Sequence, residues 1–310
     1  MKLLFLGAGA TGGYFGGRLA DAGADVAFLV RPARAERLRR EPLRIESPLG
    51  DAAVKVRAVT ADEAGGEAFD LVVLSCKAYD LDDAIATIRP AVGEATHVLP
   101  VLNGLAHVDT LDAAFGAERV LGGLCQIAAT LGEDGTVRHL NRTHLLVFGA
   151  RLAAQEAFCE ALSSVLAGGG FDAQRSDDIM LEMWEKWVLL ATLAAVTCLM
   201  RAPIGDVMAA PGGEAAVAET LAECAAIATA AGAAPRGQTM ARIRGVLTET
   251  GSSFAASMLR DIEAGNRIEA DHVIGDLIGR AGALGIATPR LRTSFCHLKA
   301  YENRRARGMH

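Results

Sequence analysis

The sequence predicts an α/β protein, with a doubly wound parallel sheet in its first half and an all-helical domain in its second. Three observations predict this. Short apolar runs without polar breaks alternate with helical stretches through the first hundred residues, as expected of strands buried on both faces of a parallel sheet. A glycine-rich turn joins the first such run to the first helix. Beyond Ser176 the strand signals vanish and alanine- and leucine-rich segments of helical spacing take over.

The elements follow in order. KLLFLG (2–7) is the first strand, with a helix running to Gly23. DVAFLVR (25–31) is the second strand, and 34–40 is a charged helix. FDLVVLS (69–75) is a strand, 80–89 a helix and THVLPVL (96–102) a strand again. Between 120 and 149, short strands separated by the turn signals GEDG (132–135) and NRT (141–143) read as antiparallel additions at the sheet edge. AAQEAFCEALSSVLAGGG (153–170) is a helix stopped by three glycines. Further helices are expected over 177–200, 214–231, 235–249, 253–264, 269–284 and 290–305. These assignments give two domains, 1–172 and 173–310.

With 310 residues, the chain is long enough for two cores. Apolar residues make up 51% and charged residues 22%, a globular composition. The net charge of −6 argues against nucleic acid as a partner. The basic runs at 31–40 and 303–307 read mainly as solvated faces. The opening MKLLFLGAGATGG breaks into glycines too soon for a signal core or a membrane span, so a cytoplasmic protein without a membrane partner is expected. Six dispersed cysteines read as reduced, mostly buried thiols. His139 and His144 have no carboxylate or thiol near them in sequence, and no metal site is expected.

GAGATG (7–12) has the spacing G-x-G-x-x-G. The motif is weak alone, but here it follows a buried strand and opens a helix, as a Rossmann-type dinucleotide site requires. Gly7 permits the tight turn, Gly9 lets the backbone approach a pyrophosphate, and Gly12 lets helix and strand pack closely. Ala8, Ala10 and Thr11 complete the loop, whose helix N-terminus supplies N–H groups for phosphate. The second strand ends in Arg31, with Arg34 close behind, where an NAD site places an acidic residue. An arginine there suits a 2′-phosphate, so NADP(H) is the expected cofactor. Lys77 and Asn103 lie just past the carboxyl ends of two later strands, the edge where open parallel sheets bind ligands. Asn-Gly is also a common turn pair, which is the ordinary reading of Asn103.

WEKW (184–187) opens the helical half, and no formal charge follows Lys186 until Arg201. A lysine in such a place either snorkels to water or is held for chemistry. The ordered set GAGATG, Arg31, CKAYD (76–80), LNG (102–104), WEKW, SMLRDIEAGNRIEAD (257–271) and the PR pair at 289–290 resembles the ketopantoate reductase (2-dehydropantoate 2-reductase) family over nearly the whole chain. The resemblance implies hydride transfer from NADPH to the ketone carbon of a 2-oxo acid. It implies Lys186 as general acid, Glu269 and Ser257 as substrate contacts, Asn103 between nicotinamide and substrate, and Lys77 on the cofactor. An ammonium beside a carbonyl oxygen stabilises the developing alkoxide and can give it a proton. The ordinary reading of Glu269 is a charge favoured at a helix N-terminus.

The chain departs from the family pattern at three positions. Leu190, Ala194 and Phe254 stand where the pattern has asparagines, so a more apolar or differently shaped 2-oxo acid than ketopantoate is an open alternative. His272 and Arg267 are polar groups close to Glu269 that can compensate. A 3-hydroxyacid dehydrogenase, a non-catalytic NADPH sensor and a flavoprotein remain competing readings. Composition also allows a homodimer.

Overall fold

The computed structural model describes residues 1–308. Contacts divide the chain into two compact units, one of residues 1–102 and 107–179, the other of residues 103–106 and 180–310.

The first unit contains two sheets. Strands β1 (Lys2–Leu6), β2 (Asp25–Leu29), β5 (Arg57–Val59), β6 (Leu71–Leu74) and β7 (His97–Pro100) form a parallel sheet of order β5-β2-β1-β6-β7. Chain order reverses between β1 and β6, as a doubly wound sheet requires. Leu3, Leu4, Leu71 and Val72 have no exposed surface, which explains their unbroken apolar runs. Helices α1 (Ala10–Asp21), α2 (Pro32–Arg40), α3 (Ala61–Ala64), α4 (Leu81–Ile88) and α5 (Ala106–Phe115) connect or follow these strands.

Strands β3 (Leu43–Glu46), β4 (Ala52–Val54), β8 (Gly122–Leu131), β9 (Val137–Gly149) and β10 (Asp172–Arg175) form a second five-stranded sheet, not an addition to the first. Only the β8–β9 and β3–β4 pairs are antiparallel; β9 runs parallel to β3 and β10. Among the described residues a single isolated bridge, Val98 to Val120 just before β8, joins this part of the chain to the first sheet. The NRT segment is not a chain reversal but an irregularity within β9. Pairing jumps from Ile127–His144 to Ala129–His139, and Asn141 Oδ1 accepts the Thr143 and Ala128 N–H groups over the gap, at 3.3 and 3.4 Å. The GEDG turn is real.

Helix α1 is pressed between the sheets. A Cβ added at Gly16 would fall 2.8 Å from the Phe28 ring, and one at Gly17 2.8 Å from Ile45. Tyr14 on the same helix bonds His144 Nδ1 at 2.9 Å, and Ser47 bonds His139 Nδ1 at 2.9 Å, so both histidines belong to the packing of the second sheet. Helix α6 (Glu156–Ala167) ends before Gly168. The expected domain boundary at 172 cuts into β10, whose pairing with β9 keeps the chain in the first unit up to Ile179.

The second unit is helical: α7 (Ile179–Met200), α8 (Ile204–Ala209), α9 (Gly213–Ala230), α10 (Gly237–Leu247), α11 (Ser257–Glu263), α12 (Asp276–Ala283) and α13 (Pro289–Ala306). Helix α7 is long and apolar enough to cross a membrane by length and composition, but most of that stretch is buried inside the protein, as in a core helix. Glu223 of α9 caps α13 by accepting the N–H groups of Arg290 and Leu291 at 2.8 and 3.0 Å. The helix expected over 253–264 begins only at Ser257. Residues 252–256 are neither helix nor strand, and the Ser252 and Phe254 carbonyls accept the Gly205 and Ile204 N–H groups at the start of α8. Within the expected 269–284 helix, Asp271–Gly275 forms a π-helical turn.

Among the described residues no cysteine is disulfide-bonded, and three of the six are buried. Burial pushes the Cys159 thiol up to about 11, and those of Cys198 and Cys224 up to about 12, so these groups are inert near neutral pH.

Candidate active site

In the first unit, the loop Gly7–Gly12 leaves the carboxyl end of β1 at the reversal point of the sheet. Gly7 has φ +85°, which only glycine adopts without strain. Gly12 lies so close to its surroundings that a Cβ would stand 2.6 Å from Ser75 Oγ and 2.8 Å from the Gly7 carbonyl oxygen. At Gly9 a Cβ would meet nothing within 4 Å, so the backbone opens there. The first intrahelical bond of α1 runs from the Gly13 N–H to the Gly9 carbonyl at 2.8 Å. The N–H groups of Ala10, Thr11 and Gly12 therefore precede the helical ladder and are available to an anion. This geometry fits a dinucleotide pyrophosphate.

Arg31 is exposed just past β2 and precedes Pro32, the first residue of α2. Arg34 is engaged differently. It donates to the carbonyls of Gly135 at 2.9 Å and Ala8 at 3.4 Å, tying α2 to the β8–β9 turn and to the glycine loop. Of the two arginines expected at a 2′-phosphate, Arg31 is thus the one at the solvent edge. Lys77 is half-buried past the end of β6 and opens a short 3₁₀ turn, Ala78–Asp80.

In the second unit, the WEKW segment forms the first turns of α7. Trp184 and Trp187 are buried with ring centroids 5.0 Å apart, and Arg280 of α12 lies 5.9 and 5.6 Å from them. The Trp187 indole N–H donates to the Val273 carbonyl at 2.8 Å. Val273 in turn donates its N–H to the Glu269 carbonyl at 3.0 Å. The residue after Lys186 is therefore bonded to the turn that begins at Glu269. Lys186 is half-buried and Glu269 is 9% exposed. Glu185, beside Lys186, is buried. Arg236 holds its carboxylate through its backbone N–H at 2.7 Å and its guanidinium. Burial alone would raise the Glu185 carboxyl, but the Arg236 hydrogen bonds outweigh it and hold the group below the usual carboxylate range.

Asn103 and Gly104 cluster with this second unit, although they follow β7 in sequence. Ser257 is exposed at the start of α11. The Ala256 N–H before it reaches Thr197 Oγ1 at 3.4 Å, a residue about three turns beyond Lys186 on α7. Leu190 is half-buried, Ala194 is buried, and Phe254 is 38% exposed. Arg267 is exposed. The contact that sequence reasoning missed is His272 against Gly104, because no local pattern brings residues so far apart together. Among the described residues no group of three or more metal-ligating side chains is assembled.

A reversal-point glycine loop in a sheet of this order, followed by a helical unit, defines a class of two-unit dinucleotide-binding proteins. The family model of ketopantoate reductase PanE/ApbA matches residues 3–152, and that of its C-terminal part matches 178–302. The chain belongs to the ketopantoate reductase PanE/ApbA family. It is 34% identical to the "uncharacterized oxidoreductase YkpB" of Bacillus subtilis, over 97% of this chain and 99% of that protein. It is 28% identical to the 2-dehydropantoate 2-reductase of Halobacterium salinarum, over 94% and 96% of the two chains. A solved PanE/ApbA family ketopantoate reductase from Ralstonia eutropha superposes with TM-score 0.88 at 29% identity, covering 99% and 100%. A D-mandelate dehydrogenase solved with NADH also superposes with TM-score 0.88, over 99% of each chain. At 22% identity that likeness speaks for the fold alone.

Proposed function

We propose that this protein uses NADPH to reduce the ketone of a 2-oxo acid, with 2-dehydropantoate to pantoate as the first substrate to try. The observation that carries the reading is Lys186, half-buried at the head of the uncharged stretch of α7 and one residue from the indole that docks the turn of buried Glu269. The cofactor, when bound, supplies the hydride. The loop Gly7–Gly12 binds the pyrophosphate through the helix N-terminus, Arg31 grips the 2′-phosphate, and Lys77 adds a cation at the same sheet edge. The Lys186 ammonium stabilises the negative charge growing on the carbonyl oxygen and donates the proton that makes it a hydroxyl. Glu269 anchors a substrate hydroxyl or aims Lys186. Asn103 and Ser257 orient the oxo acid.

A second reading, a 2-oxo acid with a more apolar side chain, is favoured by Leu190, Ala194 and Phe254. The deciding experiment is NADPH oxidation by the purified protein with ketopantoate and a panel of branched, aromatic and short 2-oxo acids. Turnover of ketopantoate supports the first reading and turnover only of apolar oxo acids the second. If no 2-oxo acid is reduced, the reductase proposal fails; 3-hydroxyacids and a sensing role then come next.

A further inference from the structure

The α7 face that carries Lys186 has no polar side chain at 190 or 194, and Phe254 adds none. A polar side chain does stand against the Asn103–Gly104 turn. Gly104 has φ +76°, and a Cβ there would meet the His272 carbonyl oxygen at 3.1 Å, Cδ2 at 3.2 Å and Nε2 at 3.4 Å. The imidazole ring lies flush on the turn, and its N–H donates to the backbone carbonyl of Asn103. That bond fixes the tautomer and the ring orientation. His272 belongs to the π-helical turn Asp271–Gly275, a rare geometry that is frequent at functional sites. Glu269 stands one turn before it and Asp276 one turn after, with Arg280 of α12 beyond.

We propose that His272 is a positioning residue that locks the Asn103–Gly104 turn onto the element bearing Glu269, so that both meet the substrate in one geometry. The proposal rests on the roles given above to Asn103 and Glu269. Burial lowers the proton affinity of the imidazole, against the pull of Glu269, Asp276 and the Asn103 carbonyl, and the ring is neutral near neutral pH. A neutral ring that donates to a carbonyl acts as a hinge pin, not as a charge for the substrate carboxylate.

Three variants test it: His272→Ala removes both ring and donor, His272→Phe keeps the packing on Gly104 without the donor, and His272→Gln keeps an N–H donor. Steady-state kinetics with NADPH and the preferred oxo acid are read beside amide hydrogen exchange over residues 103–106. Misplacing a substrate contact by about 1 Å costs on the order of 100-fold. The Ala and Phe variants should accordingly lose kcat by roughly 10- to 100-fold, with KM changed less, and exchange faster at 103–106. The Gln variant should recover most of the rate and the protection. Wild-type kcat and exchange in His272→Phe would overturn the proposal, because packing alone would then suffice. If His272→Ala does not fold, the Phe and Gln pair decides. If the wild-type protein reduces no oxo acid, the reductase reading fails by itself, and unchanged exchange in His272→Phe still refutes the pin.

Discussion

Lys186 is half-buried, and its neighbours Glu185 and Trp187 are each hydrogen-bonded to distant parts of the same unit. The side chain therefore leaves a rigid piece of helix, as a general acid should. Replacing Lys186 with alanine should lower kcat by about 100- to 10,000-fold, the range for losing a positioned acid, with NADPH affinity within about twofold. Titrating NADPH by fluorescence beside the kinetics checks this, and a sensing protein would show no change in either. One turn further on, Leu190→Asn and Ala194→Asn add polar groups to the apolar stripe. If the native substrate is the more apolar oxo acid, these changes should shift kcat/KM toward hydroxylated oxo acids by roughly 10-fold, about one hydrogen bond's worth. A competition assay between a hydroxylated and an aliphatic oxo acid reads that shift.

At the scale of elements, α7 depends on its link to α10. Glu185 is a buried carboxylate that accepts the Arg236 backbone N–H at the start of α10 as well as the guanidinium. Glu185→Gln should cost about 2 kcal/mol, less than a fully buried pair, because Arg236 is half exposed and keeps its ion pair with Glu182 at 2.8 Å. The folded carboxyl is held below its unfolded value of 4.5. Its stabilisation is therefore complete above that pH and lost as pH falls through the folded value. The gap in Tm between wild type and Glu185→Gln should be widest near pH 7 and narrow progressively as pH falls below 4.5. Thermal melts from pH 3 to 7 check the sign. The π-helical turn is the other informative element: amphipathic spacing over 269–284 reads as one ordinary helix, and nothing local marks the register change at Asp271.

At the scale of the whole molecule, folding stability reports which cofactor it is built for. A ligand that binds only the folded state raises its stability by about 2.7 kcal/mol at 100 times Kd. NADPH should therefore raise Tm at micromolar concentration, and NADH should need far more. In Arg31→Ala the NADPH advantage should fall by about 10- to 100-fold, the worth of charge-assisted bonds to one phosphate, with NADH binding unchanged. Equal shifts by both cofactors in the wild type would count against Arg31 as a phosphate ligand.

The sequence by itself determined the buried parallel strands, the glycine loop and the helical second half. Each of these is written in a local period or in a residue whose backbone freedom is needed on the spot, as at Gly7 and Gly12. It also located the W-x-K-W turn, since a lysine at the head of a long uncharged stretch of helix is conspicuous. Only the tertiary structure decided that β3 and β4, from a weakly patterned stretch, join β8, β9 and β10 in a second sheet. The same is true of the engagement of Arg34 with carbonyls far along the chain and of the placement of Asn103 beside His272. The physical reason is that pairing across long loops is selected by burial of whole faces and by unsatisfied carbonyls seeking donors. Neither condition is visible until distant segments meet.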